Sequence, residues 1–167
     1  MSFKIPESVL VVIHTPELKV LMMERLDWPG WWQSVTGSRE THDASLADTA
    51  RREVREETGL DVGEALSDWA LVNRYAIYGR WRPRYAPEVT HNVEHTFGVE
   101  VAAPFAARLH PEEHGRYVWL NWRDALCRCY TATTRAAHIA RAERKSLSSR
   151  AQRGIQGERL DPSLRSG

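Results

Sequence analysis

Apolar residues in this chain fall into short blocks whose spacing switches between the two-residue period of a strand and the 3.6-residue period of a helix. Val9 to Ile13 is an aliphatic, largely β-branched run, His14-Thr15-Pro16 interrupts it, and Lys19 to Glu24 is a second apolar run, a pattern that predicts a hairpin. Turn residues mixed with tryptophans fill Asp27 to Trp32, and Gln33 to Thr36 reads as a short strand ending at Gly37. The period then lengthens. Leu46, Ala47, Ala50 and Val54 line one face of a helix for which Asp43 is the expected cap and Gly59 the stop. Trp69 to Tyr78, Glu94 to Val101 and Tyr117 to Trp122 carry strand-forming residues. Asp124 to Lys145 predicts a second helix with Ala125, Leu126, Cys129, Ala132, Ala136 and Ile139 on its buried face. Residues 146–167 are polar and without period, so they read as a flexible tail behind a layered α/β domain spanning residues 1–145.

Composition narrows the function classes. At 167 residues and 42% hydrophobic content the chain is the size of one domain with a real core. Its 23 Lys plus Arg against 22 Asp plus Glu create no global field for nucleic acid, so any charge logic is local. Cys127 and Cys129 are too close and wrongly directed to pair, which suggests a reducing compartment. No run approaches the roughly 18 apolar residues of a membrane span, and the expectation is a soluble, cytoplasmic protein. Trp28, Trp31 and Trp32 read as core or loop anchors, and Arg80, Arg82 and Arg84 among Trp81 and Tyr85 as a phosphate-facing or solvated loop. His91 and His95 lack zinc-site spacing on a strand.

One stretch is odd as structure. Glu53, Glu56 and Glu57 fall within an arc of about 100° on the first predicted helix, where each like-charge pair costs roughly 0.2 to 0.5 kcal/mol unless a cation sits among them. Mg²⁺ prefers such carboxylate oxygens and commonly bridges to substrate phosphates. Arg52 lies four residues before Glu56, placed to pin a carboxylate without neutralising the cluster.

Gly37, a loop, and then Arg52-Glu53-Val54-Arg55-Glu56-Glu57-Thr58-Gly59-Leu60 resemble the Nudix box. The resemblance implies an α/β/α sandwich with a mixed central sheet. It also implies a hydrolase in which Mg²⁺, with Mn²⁺ as an alternative, is held by glutamates while water attacks phosphorus. On that resemblance Glu53, Glu56 and Glu57 are metal ligands or the base, the base being one of the three, and Arg52 belongs to the catalytic set. The span from Gly37 to Arg52 is one residue longer than the family pattern, so the loop glutamate falls on Asp43 or Ala44.

Further segments carry a narrower resemblance. Trp32 to Ser38, Arg84-Tyr85-Ala86-Pro87, Val89-Thr90, and Glu113-His114 with Tyr117 and Trp119-Leu120 are similar to the branch of bacterial Nudix enzymes that removes pyrophosphate from a pterin triphosphate in folate synthesis. That similarity places a further metal ligand on Glu113. It places substrate contacts on Lys4, Arg25, Thr36, the segment Tyr75, Ala76, Ile77 and Tyr78, and Thr131. Lys4 and Arg25 suit a triphosphate, Thr36 and Thr131 offer hydroxyls, and one of the two tyrosines could stack on a flat ring. The expected partner is a small phosphorylated molecule rather than nucleic acid or membrane. A nucleoside triphosphate, a dinucleoside polyphosphate, or a non-catalytic binding role are the rival readings.

Overall fold

The computed structural model describes residues 3–157. The first apolar runs become β1 (Glu7–His14) and β2 (Lys19–Arg25), followed by β3 (Trp32–Gln33) and β4 (Val35–Ser38). Helix α1 (Leu46–Thr58) comes next, then β5 (Leu66–Ala76), β6 (His91–Glu100) and β7 (His114–Asn121). Two helices close the order, α2 (Trp122–Arg128) and α3 (Ala132–Gly157). The seven strands form one sheet with the path β3-β2-β1-β6-β5, β4 pairing with β1 and β7 with β2. It is mixed: β1 runs parallel to β6 and every other pairing is antiparallel.

The predicted hairpin exists only at its turn. β1 and β2 share the single register pair His14↔Val20, because β1 then takes β4 along Ser8 to Val11 while β2 takes β7 from Lys19 onward.

Strand β1 is buried on both faces, which is why it reads as a continuous apolar run rather than an alternation. Its odd-numbered residues Val9, Val11 and Ile13 meet Ala50 and Val54 of α1, with Leu46 and Ala47 at the margin, as the helical stripe predicts. Its even-numbered Leu10 and Val12 meet Ala125, Cys129 and Ala137 on the other side. Full burial of a residue such as Val54 contributes about 1.5 to 3 kcal/mol, so α1 is fixed to the sheet by packing as well as by its caps. Helices on both faces of a mixed sheet give the α/β/α sandwich.

Three expectations change. Ser45, not Asp43, caps α1, accepting from the Asp48 amide at 3.1 Å, because Asp43 is committed to Arg52. The single helix expected over Asp124 to Lys145 is two. Asn121 caps α2 through the Arg123 amide and Thr131 accepts from the Thr134 amide at 3.2 Å to start α3. The buried face of α3 is consequently Thr134, Ala137 and His138, and Ile139 is exposed. Helix α3 also continues to Gly157, past residue 146 where the polar tail was expected to begin; the rest of that expected tail, residues 158–167, lies outside the described residues.

Candidate active site

The acidic helix lies against β4 because that strand presents a glycine to it. Gly37 pairs with Val9 and so faces α1, and a Cβ there would sit 1.8 Å from the Glu53 carboxyl carbon. The close approach carries Glu53 to 9% exposure and Glu57, one turn on, to 2%. Glu56 points outward, pinned by Arg52 at 3.2 Å. At the end of the helix Gly59 adopts φ 74 and donates to the Arg55 carbonyl, a left-handed stop that suits glycine.

Arg52 organises this group. It donates through Nε and Nη2 to Asp43 at 3.1 and 2.9 Å, through Nη2 to the Ser38 carbonyl at 3.0 Å, and through Nη1 to Glu53 at 2.8 Å. Asp43 also accepts from the Glu40 amide and the Thr49 hydroxyl, and together these hold its carboxyl well below the ordinary carboxylate range, Arg52 contributing most. The residue at the offset loop position therefore anchors the arginine.

Around Glu57 the structure gathers what the sequence separates. His114, at the start of β7, brings Nε2 to 3.0 Å from Glu57 Oε2, and Glu57 Oε1 has no hydrogen-bond partner. Ligand atoms of Glu57, Glu113 and His114 lie within 4.8 Å of one another. Burial raises the Glu53 pKa to about 8, with repulsion from Glu57 adding to it and Arg52 opposing. Burial, then Glu113, pushes Glu57 well up, against the Thr36 amide and Arg25. Burial likewise lowers His114. Buried carboxylates that repel one another, one with an unpartnered oxygen, form a donor set suited to a hard divalent cation.

Cations border this set. Arg25 pairs in register with His114, is held by Asp27 at 2.7 Å and lies over the Trp81 ring at 6.0 Å. Lys4 Nζ is 3.3 Å from Ser38 Oγ; desolvation and then Arg84 lower its pKa while Glu53, Glu113 and Glu40 raise it. Thr36, whose hydroxyl accepts from Gln33 at 2.9 Å, faces away from α1. Tyr75 and Tyr78 diverge because β5 ends at Ala76: Tyr75 accepts from Asn92 at 3.0 Å, whereas Tyr78 lies beyond the strand and meets the rings of Trp31 and Trp81 edge-on. Ala76 is exposed, Ile77 is buried, and Thr131 caps α3.

Sequence reasoning passed over His114, although it adjoins the expected ligand Glu113. Trp31, read as a core or loop anchor, is buried at 4% exposure and stacks on Tyr130 at 3.6 Å, with Tyr78 and Trp81 edge-on to it. The buried Glu94 was missed too, despite the alternation of Asn92, Glu94 and Thr96 along β6. No described helix is long and apolar enough to cross a membrane.

Comparison with known proteins places this geometry. The family profile of the NUDIX domain matches residues 4–142. The dihydroneopterin triphosphate diphosphatase of Haemophilus influenzae is 41% identical over 130 residues, 75% of this chain and 80% of that one. The Escherichia coli K12 protein of the same name is 42% identical over 123 residues, 71% and 80% of the two chains. Among solved structures, the E. coli dihydroneopterin triphosphate pyrophosphohydrolase superposes with a TM-score of 0.74 at 35% identity, covering 83% of this chain and 95% of that one. The NUDIX domain of Shewanella oneidensis NrtR, complexed with ADP ribose, shares the fold alone at 18% identity, with a TM-score of 0.66 over 86% and 90% of the chains.

Proposed function

This chain belongs to the NUDIX domain family, and from that premise we propose that it hydrolyses 7,8-dihydroneopterin triphosphate to the monophosphate and pyrophosphate. The observation that carries the reading is the gathering of exposed Glu113 and buried His114 at buried Glu57, on the helix that also carries buried Glu53, bordered by Lys4 and Arg25, in a chain 41% identical to a dihydroneopterin triphosphate diphosphatase. The free thiols Cys127 and Cys129 fit a reducing, cytoplasmic setting.

Glu53, Glu57 and Glu113 would hold Mg²⁺, or Mn²⁺ in its place, and Glu56 is the outward carboxylate on the same helix. When bound, the cation supplies charge neutralisation for the phosphate oxygens and acidifies water. The protein's own part is positional. Arg52 fixes Glu53 against Gly37, His114 fixes Glu57, and Arg25 and Lys4 bind phosphate oxygens, Arg25 through a fork and Lys4 as a point charge. A general base among the glutamates takes the proton of the attacking water. Glu56, the outward carboxylate, or a neighbour fills that role, while the burial and mutual repulsion that raise Glu53 and Glu57 are relieved when a cation is bound between them. Thr36, Thr131 and the Tyr75–Tyr78 segment border the place of the pterin, and the exposed Tyr78 with Trp81 offers aromatic surface to a flat ring.

Product analysis tests this reading. Incubation with the pterin triphosphate and Mg²⁺ should release pyrophosphate and dihydroneopterin monophosphate in equal amounts, and Glu57→Gln should abolish the release. Orthophosphate as the product, or full activity in Glu57→Gln, would overturn it.

A further inference from the structure

The mechanism leaves unused a second group of buried polar side chains, on the sheet face opposite α1. Strand β6 turns Asn92, Glu94 and Thr96 to that face, at 2%, 4% and 0% exposure. In register, Asn92 pairs with Tyr75 and Glu94 with Asn73 on β5; Glu94 also pairs with Ser8 on β1, and Ser8 with Ser38 on β4. Register partners share a face, so these side chains form one polar floor. Four of its atoms lack any hydrogen-bond partner: Glu94 Oε1, Asn92 Oδ1, Asn73 Nδ2 and Thr96 Oγ1. Folded proteins leave few buried polar atoms unsatisfied, and four on two adjacent strands point to a ligand that completes them.

The floor has the right place and chemistry for the ring. Two strand steps of about 4.8 Å separate Ser38 from Glu94, roughly 10 Å. Ser38 touches Lys4, at the phosphate end, and the hydroxyl of Thr133, beside the expected contact Thr131, donates toward Glu94. A pterin spans such a gap, with its three-carbon side chain running toward the phosphates. Its pyrimidine edge carries two parallel N–H donors, the 2-amino group and N3–H, which match the two oxygens of a carboxylate. Burial pushes the Glu94 carboxyl up to about 7, Thr133 opposing, so a pair of ligand donors would stabilise its ionised form.

We propose that Glu94 is the specificity-determining residue of this enzyme, its carboxylate accepting from the 2-amino and N3–H groups of the pterin while Asn92 and Asn73 meet the ring's remaining polar atoms. The proposal rests on the pterin reading of the function and names a residue and an atom pair within it. Guanine carries the same two-donor edge and adenine does not, so GTP should be the preferred nucleotide.

The test compares kcat/KM for dihydroneopterin triphosphate, GTP and ATP in the wild type, Glu94→Gln and Glu94→Asp. Glutamine keeps the volume and turns one acceptor into a donor that faces the ring's own N–H. The pterin and GTP should lose about 10- to 100-fold relative to ATP, with aspartate restoring part of the preference. Loss of activity on all three substrates together, or unchanged ratios, would overturn the proposal, since a residue that only supports the fold moves every substrate alike. If the wild type failed on the pterin triphosphate, the functional reading would fall. The GTP to ATP ratio in Glu94→Gln would still judge Glu94.

Discussion

Gly37→Ala isolates the packing that aims the acidic helix. The added methyl would lie 1.8 Å from the Glu53 carboxyl carbon and 2.0 Å from Oε1, where ordinary contact begins at 3.4 Å, so the carboxyl must retreat by about 1.6 Å. Glu53 is not free to swing, because Arg52 holds it at 2.8 Å and Asp43 and Ser38 hold Arg52. The strain divides between the two ends. Overpacking of this kind costs about 1 to 3 kcal/mol of stability. A misplacement of about 1 Å at a reacting centre costs about 100-fold, and this one is larger, so kcat should fall at least that far, about 2.7 kcal/mol of transition-state stabilisation. Pyrophosphate release measured across a Mg²⁺ titration, with thermal melts alongside, reads both. Gly79→Ala is the control, since nothing lies within 4 Å of its added Cβ. A folded Gly37→Ala enzyme with kcat within about threefold of wild type would refute the claim that this contact aims Glu53.

The remaining predictions concern the supports of the site. Asp43→Asn should cost about 2 kcal/mol or more by leaving the Arg52 fork without its charged partner, read by chemical denaturation at pH 7. The Asp43 pKa is depressed on folding, so its contribution is fully present above the unfolded value near 3.8 and drains away as pH falls below it; wild type should lose more stability than Asp43→Asn over that acid range, and parallel acid unfolding would refute the role. His114→Ala should raise the Mg²⁺ concentration for half-maximal pyrophosphate release about 10-fold or more, with His114→Gln recovering part by restoring an N–H donor toward Glu57. Saturating Mg²⁺, at about 100 times its Kd, should stabilise the protein by about 2.7 kcal/mol, and a melting shift that survives in the Glu53→Gln, Glu57→Gln double variant would put the cation elsewhere.

Local signals were the readable ones. The stripe Leu46, Ala47, Ala50 and Val54, the stop at Gly59 and the strand at Val9 to Ile13 each express a period or a terminus within a few residues, and each appears in the structure as expected. The caps were harder, because Ser45 and Asp43 suit the role equally and only the position of Arg52 decides between them. Thr131 was read for a possible contact and not as a cap, which hid the break between α2 and α3. The glutamates were legible because three carboxylates on one face are costly without a reason. His114 and Glu94 were not, since their meaning comes from partners 57 residues away at Glu57 and across the β6–β1 register at Ser8. Why Gly37 must be glycine was equally invisible until Glu53 was seen against it.

The most direct test of the account is kcat/KM of the wild-type protein with Mg²⁺ on dihydroneopterin triphosphate against a panel of nucleoside triphosphates and dinucleoside polyphosphates. The pterin triphosphate should be turned over fastest, with GTP the best of the nucleotides; faster turnover of any nucleotide would contradict the assignment.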